Sequence, residues 1–269
     1  MLSAVLIALF FEAVLFAAVW ALAVRLRNYA TLDVAFSYGL LPLIPLYAAQ
    51  GAVQGPRFAC FAAVATLWSL RLGTYILLRV IRHHPQEDVR YQTLRQKWQG
   101  PVMFLLFFEL QAALVVLFSL PLLISAFDVT PTLRKLEIAG LTLALLGVAG
   151  ESLADFQMNR FKRNPAHRDR VCEIGLWRYS RHPNYFFESL VWIGFSVASL
   201  QIPHGWITLL CPVAMLYFLF RVTGIPLTEE YAIRSKGEAY RTYQRSTSAF
   251  IPWFRKSSGL PNTPPIDPR

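Results

Sequence analysis

The sequence predicts an all-α, polytopic membrane bundle of about seven transmembrane helices, on three grounds. The chain is 55% hydrophobic with a mean hydropathy of +0.40, and only 16% of its residues are charged, against roughly a quarter in soluble domains. Apolar runs lie near 2–24, 33–53, 58–78, 102–126, 136–156, 184–200 and 206–225; each approaches the length needed to cross about 30 Å of hydrocarbon, the sixth only just. The segments at 25–32, 79–101 and 157–183 and the tail from 221 hold 2, 5, 7 and 8 Lys or Arg, whereas the intervening segments hold only Arg57, Arg134 and Lys135. Cations collect on the cytoplasmic side of membrane proteins, so the N-terminus is expected outside and the C-terminal tail in the cytoplasm.

Taken in order, the first run carries Glu12, lacks a basic leader and shows no small-residue cleavage pattern, so it reads as a retained helix and not a signal peptide. The runs at 33–53 and 58–78 are joined by a short Gly- and Pro-containing link, which fits either two spans or a re-entrant turn. Residues 1–256 form one integral-membrane domain in this reading, and 257–269, with four prolines, a flexible end. The net charge of +10 and pI near 9.8 follow from topology; no basic run has the periodicity of a nucleic-acid reader. Cys60, Cys172 and Cys211 make no CxxC site or disulfide framework, and His83-His84 has no carboxylates or thiols at metal spacing, so no metal is expected. There is no GxGxxG or P-loop pattern.

Polar residues inside the runs indicate a site. Glu151, Asp155 and Asn159 recur every four residues, followed by Arg160, Lys162 and Arg163, which makes one polar stripe on a helix. A carboxylate facing lipid costs at least about 2.5 kcal/mol, so the stripe should face inward, as a clamp between helices or as a ligand site. Asn184 and Glu188 repeat the four-residue spacing. Between the stripes lies Leu176-Trp177-Arg178-Tyr179-Ser180-Arg181-His182-Pro183-Asn184-Tyr185. Its cations and rings suit either an interfacial anchor or an anionic nucleotide. In the tail, Thr228 can cap a helix that Glu229 and Glu230 favour electrostatically, and Tyr231, Ile233, Tyr240 and Tyr243 give it apolar surface, with Gly237 as a break. This tail is an amphipathic surface helix or a lid.

Asn184-Tyr185-Phe186-Phe187-Glu188, Trp192, Gly194-Phe195 and Ala249-Phe250-Ile251-Pro252-Trp253 resemble the C-terminal half of the steroid 5-alpha-reductase family. Residues 28–39, Trp68-Ser69-Leu70-Arg71-Leu72, 90–98, Asp155-Phe156-Gln157 and Arg160-Phe161-Lys162 point to its bacterial DUF1295 branch. The resemblance covers most of the chain. It implies a plasma-membrane reductase that uses NADPH, held in the 136–256 half on the cytoplasmic side, to saturate a conjugated C=C in a steroid-like or other lipid substrate entering from the bilayer. Asn184 and Glu188 would contact the cofactor; Trp177, Arg178, Arg181, His182 and Tyr185 would line its phosphates and ribose. Arg160, Lys162 and Arg163, beside Asp155 and Asn159, would take the phosphate that distinguishes NADPH from NADH. Glu229, Glu230, Tyr240 and Tyr243 would close the site.

The chain departs from the family pattern at two places. Met158 stands where related sterol reductases have Lys, and the Gln-Glu acid pair of the human-type enzymes is absent. Asp33 is the first choice for the proton donor, with Tyr75 and Glu109 (beside Gln111) as competitors. Arg181-His182-Pro183-Asn184-Tyr185, Glu229-Glu230 and 237–243 also resemble the isoprenylcysteine carboxyl methyltransferases, whose cofactor is S-adenosylmethionine. The 160–163 cations favour the phosphate-bearing nucleotide. A proton-coupled transporter using the buried carboxylates is the non-enzyme alternative.

Overall fold

The structure, a computed structural model, describes residues 1–51, 55–98, 100–130, 132–222 and 224–256. It is helical, with no strand among the described residues: α1 (Leu2–Leu26), α2 (Thr31–Tyr38), α3 (Leu40–Gln50), α4 (Pro56–His83), α5 (Val89–Lys97), α6 (Pro101–Phe118), α7 (Leu120–Phe127), α8 (Lys135–Arg163), α9 (Pro183–Ser199), α10 (Leu210–Tyr217), α11 (Ile225–Lys236) and α12 (Glu238–Ser246). Among the described residues six stretches are long and apolar enough to cross a membrane: α1, α2 with α3, α4, α6, α8, and Gly205–Lys236. These match six of the seven expected runs. The remaining run, the sixth at 184–200, is α9, whose 17 residues give about 25 Å of helix, at the lower limit for a hydrocarbon core of about 30 Å. The run expected at 102–126 is interrupted at Ser119, because Pro121 in the first turn of α7 has no N–H to continue the ladder. The link at 52–54 and the tail at 257–269 lie outside the described residues.

The chain divides into two compact units that interleave in sequence. Unit 1 comprises Met1–Ala149 and Glu188–Phe218, and unit 2 comprises Gly150–Phe187 and Leu219–Arg269. In unit 1, α8 and α9 touch backbone to backbone: a Cβ on Gly140 would lie 2.3 Å from the Ala198 nitrogen, and one on Gly194 2.5 Å from that of Ala144. Small residues permit such approaches where no hydrophobic effect drives helices together. Aliphatic and aromatic side chains together fill the core, with Trp68, Phe118 and Phe195 packed around Trp192.

Two charged clusters tie the helix ends of unit 1. Arg57, 2% exposed, bonds Glu137 through Nε at 2.8 Å, lies 3.2 Å from Asp128, and donates to the Thr130 and Thr132 carbonyls. Arg134 joins this cluster, so two of the three cations assigned to the cation-poor face do meet. In the other cluster Arg90 bonds Asp33 at 2.7 Å and Asp88 at 3.0 Å, while Glu87 accepts from the Tyr29 amide and from Arg95. Burial alone would raise the Asp88 carboxyl, but hydrogen bonds and charge from Arg90, with Arg79, outweigh it and hold it below the ordinary carboxylate range. That stabilisation is present at neutral pH and lost as pH falls below the ordinary aspartate value of about 4.

Because Glu137 is fully buried, Arg57→Ala should strand its charge and cost about 3–5 kcal/mol in detergent unfolding, while Arg57→Met with Glu137→Leu should recover most of it. A loss near the ~1 kcal/mol of an exposed pair would contradict the clamp.

Candidate functional site

The basic decapeptide is held in unit 2 by the end of α8 and by the tail helices α11 and α12. Gly175, at φ +55°, turns the chain where a side chain would collide with the Gln157 amide, and Gln157 Oε1 accepts the Leu176 N–H at 2.8 Å. The Trp177 indole donates to the Ala154 carbonyl on α8 at 2.9 Å. Phe161, Cys172 and Trp177, with Met158 and Ile174, form the small core beneath this turn. Burial pushes the Cys172 thiol up to about 11, so it is an inert packing group.

Glu229, on α11, is the hub of the unit. It accepts from Arg181 Nε at 2.6 Å and Gln244 Nε2 at 2.9 Å, and His182 Nε2 lies 3.2 Å away. Arg181 also donates to the Gln244 and Thr247 carbonyls at 2.9 and 2.6 Å. Arg181, His182 and Glu229 have side chains only 11%, 3% and 15% exposed, so these contacts are shielded from competing water. His182 stacks on Tyr185 at 5.3 Å, and the Tyr185 hydroxyl is 3.2 Å from that of Thr228. Tyr243, on α12, donates to the Trp177 and Ser180 carbonyls. Burial first, then the Glu229 charge, raises the Tyr240 phenol, and burial likewise raises that of Tyr243; both stay protonated, as a donating tyrosine must.

The expected tail helix is two helices separated by Gly237. Thr228 does not cap the first: Gly224 is its N-cap, Pro226 fills the first turn, and the Thr228 hydroxyl returns to the Gly224 carbonyl. The structure brings Arg181, His182, Tyr185, Glu229, Tyr240 and Tyr243 together and leaves Glu230 out, exposed and paired with Arg234. Gln244, Thr247 and Ser180 complete the hub and were not among the expected residues. Their part is played through backbone carbonyls and an amide, for which sequence carries no signal.

The stripe on α8 is buried at Glu151 and Asp155 and half-buried at Asn159. Arg160, Lys162, Arg163 and Arg178 are exposed, and Arg160, Arg163 and Arg178 form no ion pair among the described residues. Asn184 Oδ1 is buried and accepts no hydrogen bond among them. This combination fits an anionic nucleotide: uncommitted cations for phosphate oxygens and a buried acceptor for a hydroxyl or amide donor.

Glu188 belongs to unit 1, where both its oxygens are engaged, by the Trp68 indole at 2.9 Å and the Trp192 indole at 2.8 Å. The residues expected on the proton side are distributed over three helices of that unit. Asp33, on α2, accepts from Arg90 and from the Tyr91 hydroxyl at 2.7 Å each. Tyr75, on α4, lies under Arg71 at 5.8 Å, and Glu109 is half-buried on α6.

These features define an all-helical integral membrane protein with a carboxylate-anchored, cation-bearing unit. Residues 19–247 match the family described as "Protein of unknown function (DUF1295)", and the chain belongs to that family. No curated protein and no solved structure matches it. No group of three or more His, Cys, Asp or Glu able to hold a metal occurs among the described residues.

Glu229→Ala should leave the Arg181 charge unpaired and destabilise unit 2 by about 3–5 kcal/mol, read as faster limited proteolysis of the tail. Tyr243→Phe should cost less, about 1–3 kcal/mol for the unmet carbonyls. Tail proteolysis in Glu229→Ala no faster than in the unmodified chain would remove Glu229 from its role as hub.

Proposed function

We propose that the chain is a membrane-embedded, NADPH-dependent reductase of a conjugated C=C in a lipid-like substrate. The observation that carries the reading is the division of charge in unit 2. Glu229 is engaged by Arg181, His182 and Gln244, while Arg160, Arg163 and Arg178 remain without carboxylate partners among the described residues. Cations at the end of α8 also complement its dipole, but that requires no arginine at position 178. A sulfonium cofactor such as S-adenosylmethionine has no phosphate to use them. The resemblance of 184–188 and 249–253 to the steroid 5-alpha-reductases points the same way.

In this reading NADPH, when bound, supplies a hydride. Arg160, Lys162, Arg163 and Arg178 hold its phosphates. Arg181 serves differently, because its bonds to Glu229 and two carbonyls fix the backbone that presents Arg178 and Asn184. Asn184 Oδ1 accepts from the nucleotide, and Tyr185, stacked on His182, offers a flat wall. A reduced enone also needs a proton, and the oxygens of Asp33 are occupied by Arg90 and Tyr91. The donor role therefore passes to Tyr75 or Glu109.

Purified protein should gain thermal stability with NADPH, by about 2.7 kcal/mol at a hundredfold excess over Kd, and none with S-adenosylmethionine; the reverse result would replace the reductase by a methyltransferase. Arg160→Ala with Arg163→Ala should weaken NADPH more than NADH, and equal losses would withdraw the extra-phosphate assignment.

A further inference from the structure

The last described stretch of unit 2, 248–256, is fastened along its length. Arg181 N–H donates to the Ser248 carbonyl at 2.9 Å, the Ser180 hydroxyl to that of Phe250 at 2.7 Å, and Trp253 N–H to that of Tyr179 at 2.9 Å. Yet its large side chains are offered outward: Ile251, Trp253 and Phe254 are 60%, 67% and 78% exposed. Tyr179, Pro252, Trp253 and Phe254 line a shallow groove of about 410 Å³. Held rigidly, so apolar a patch needs a cover.

Continuity identifies the cover. The Phe250 ring lies 4.9 Å from that of Phe220, in the π-helical turn Phe218–Val222 within the membrane-crossing stretch Gly205–Lys236. Phe220 and Val222 are exposed as well, so one apolar surface runs from the crossing helix onto the strap. Its charge is positive. Arg221 and Lys256 are exposed and have no acidic partner among the described residues, whereas Arg255 is neutralised by Glu173.

We propose that 250–256 is an interfacial strap that binds the headgroup of an acidic phospholipid, with Trp253 and Phe254 at headgroup depth and Arg221 and Lys256 on the lipid phosphate. The indole of Trp253, apolar with one polar N–H, settles at that depth, Phe254 beside it adds apolar area against the acyl boundary, and each cation near the surface should enrich acidic lipid about fivefold. Since the strap is hydrogen-bonded to 179–181, the lipid would also brace the segment that carries Arg178 and Arg181.

The test uses the full chain in phosphatidylcholine vesicles, with phosphatidylcholine or phosphatidylglycerol brominated near the top of the acyl chain. The unmodified protein should show a quenched tryptophan component that Trp253→Phe lacks, stronger with the brominated acidic lipid. Phe254→Trp, which keeps Trp253, should add a second such component. Arg221→Ala with Lys256→Ala should keep the quenching and lose the preference for acidic lipid. Quenching equal in Trp253→Phe, no gain in Phe254→Trp, an undiminished preference in the charge variant, or Trp253 quenched by aqueous iodide and not by brominated lipid would each overturn the proposal.

Discussion

The ion pair between Glu229 and Arg181 is the contact on which unit 2 depends. It joins α11 to the decapeptide at 2.6 Å, and the remaining donors of Arg181 reach carbonyls at the end of α12. One guanidinium thus secures three separate pieces of chain. The planar fork of a guanidinium suits this, since its donors lie on two nitrogens, Nε facing Glu229 and Nη1 the two carbonyls. Pairs as shielded as this are costly to leave half-made, so the two residues act together: with both present the segment is fixed, and with either removed the other becomes a liability.

The same economy of partners recurs in unit 1. Glu188 is placed among aromatic rings, but two indole N–H groups meet its two oxygens, so the carboxylate unites α4 with α9. Arg57 gathers Asp128, Glu137 and two carbonyls. In an apolar solvent polar groups are safe only when their partners come from the protein itself. The polar residues of such a bundle consequently serve two ends, and a residue that looks like a ligand contact by its chemistry can be a structural one by its partners. Glu188 illustrates this: the family resemblance implied a contact with cofactor, and each of its oxygens accepts a hydrogen bond from an indole, Trp68 on one side and Trp192 on the other.

Much of the fold was legible because hydropathy and length register directly in composition. Six expected runs correspond to helices of crossing length, and the grouping of Arg57 with Arg134, and of Arg79, Arg90 and Arg95 with the 29–33 region, agrees with the cation pattern. The break at Ser119 was signalled by Pro121 but masked by the apolar residues around it. The division into two interleaved units was not legible, since hydropathy marks how long α8 and α9 are but not which neighbours each part of them packs against. In the site, spacing placed the buried stripe at Glu151 and Asp155 correctly on the inner side of α8. It could not tell Glu229 from Glu230, because adjacent residues on a helix point about 100° apart and only the fold decides which one meets Arg181. Nor could it reveal that Asp33 faces Arg90, a partner 57 positions away.

Reduction by NADPH requires unit 2 to be a nucleotide site framed by the end of α8, the decapeptide and the tail helices. Hydrogen exchange of the detergent-solubilised chain with and without NADPH tests this most directly. Bound NADPH should slow exchange at 157–163, 176–187 and 225–247. No protection in those segments at saturating NADPH, or protection there by S-adenosylmethionine alone, would contradict it.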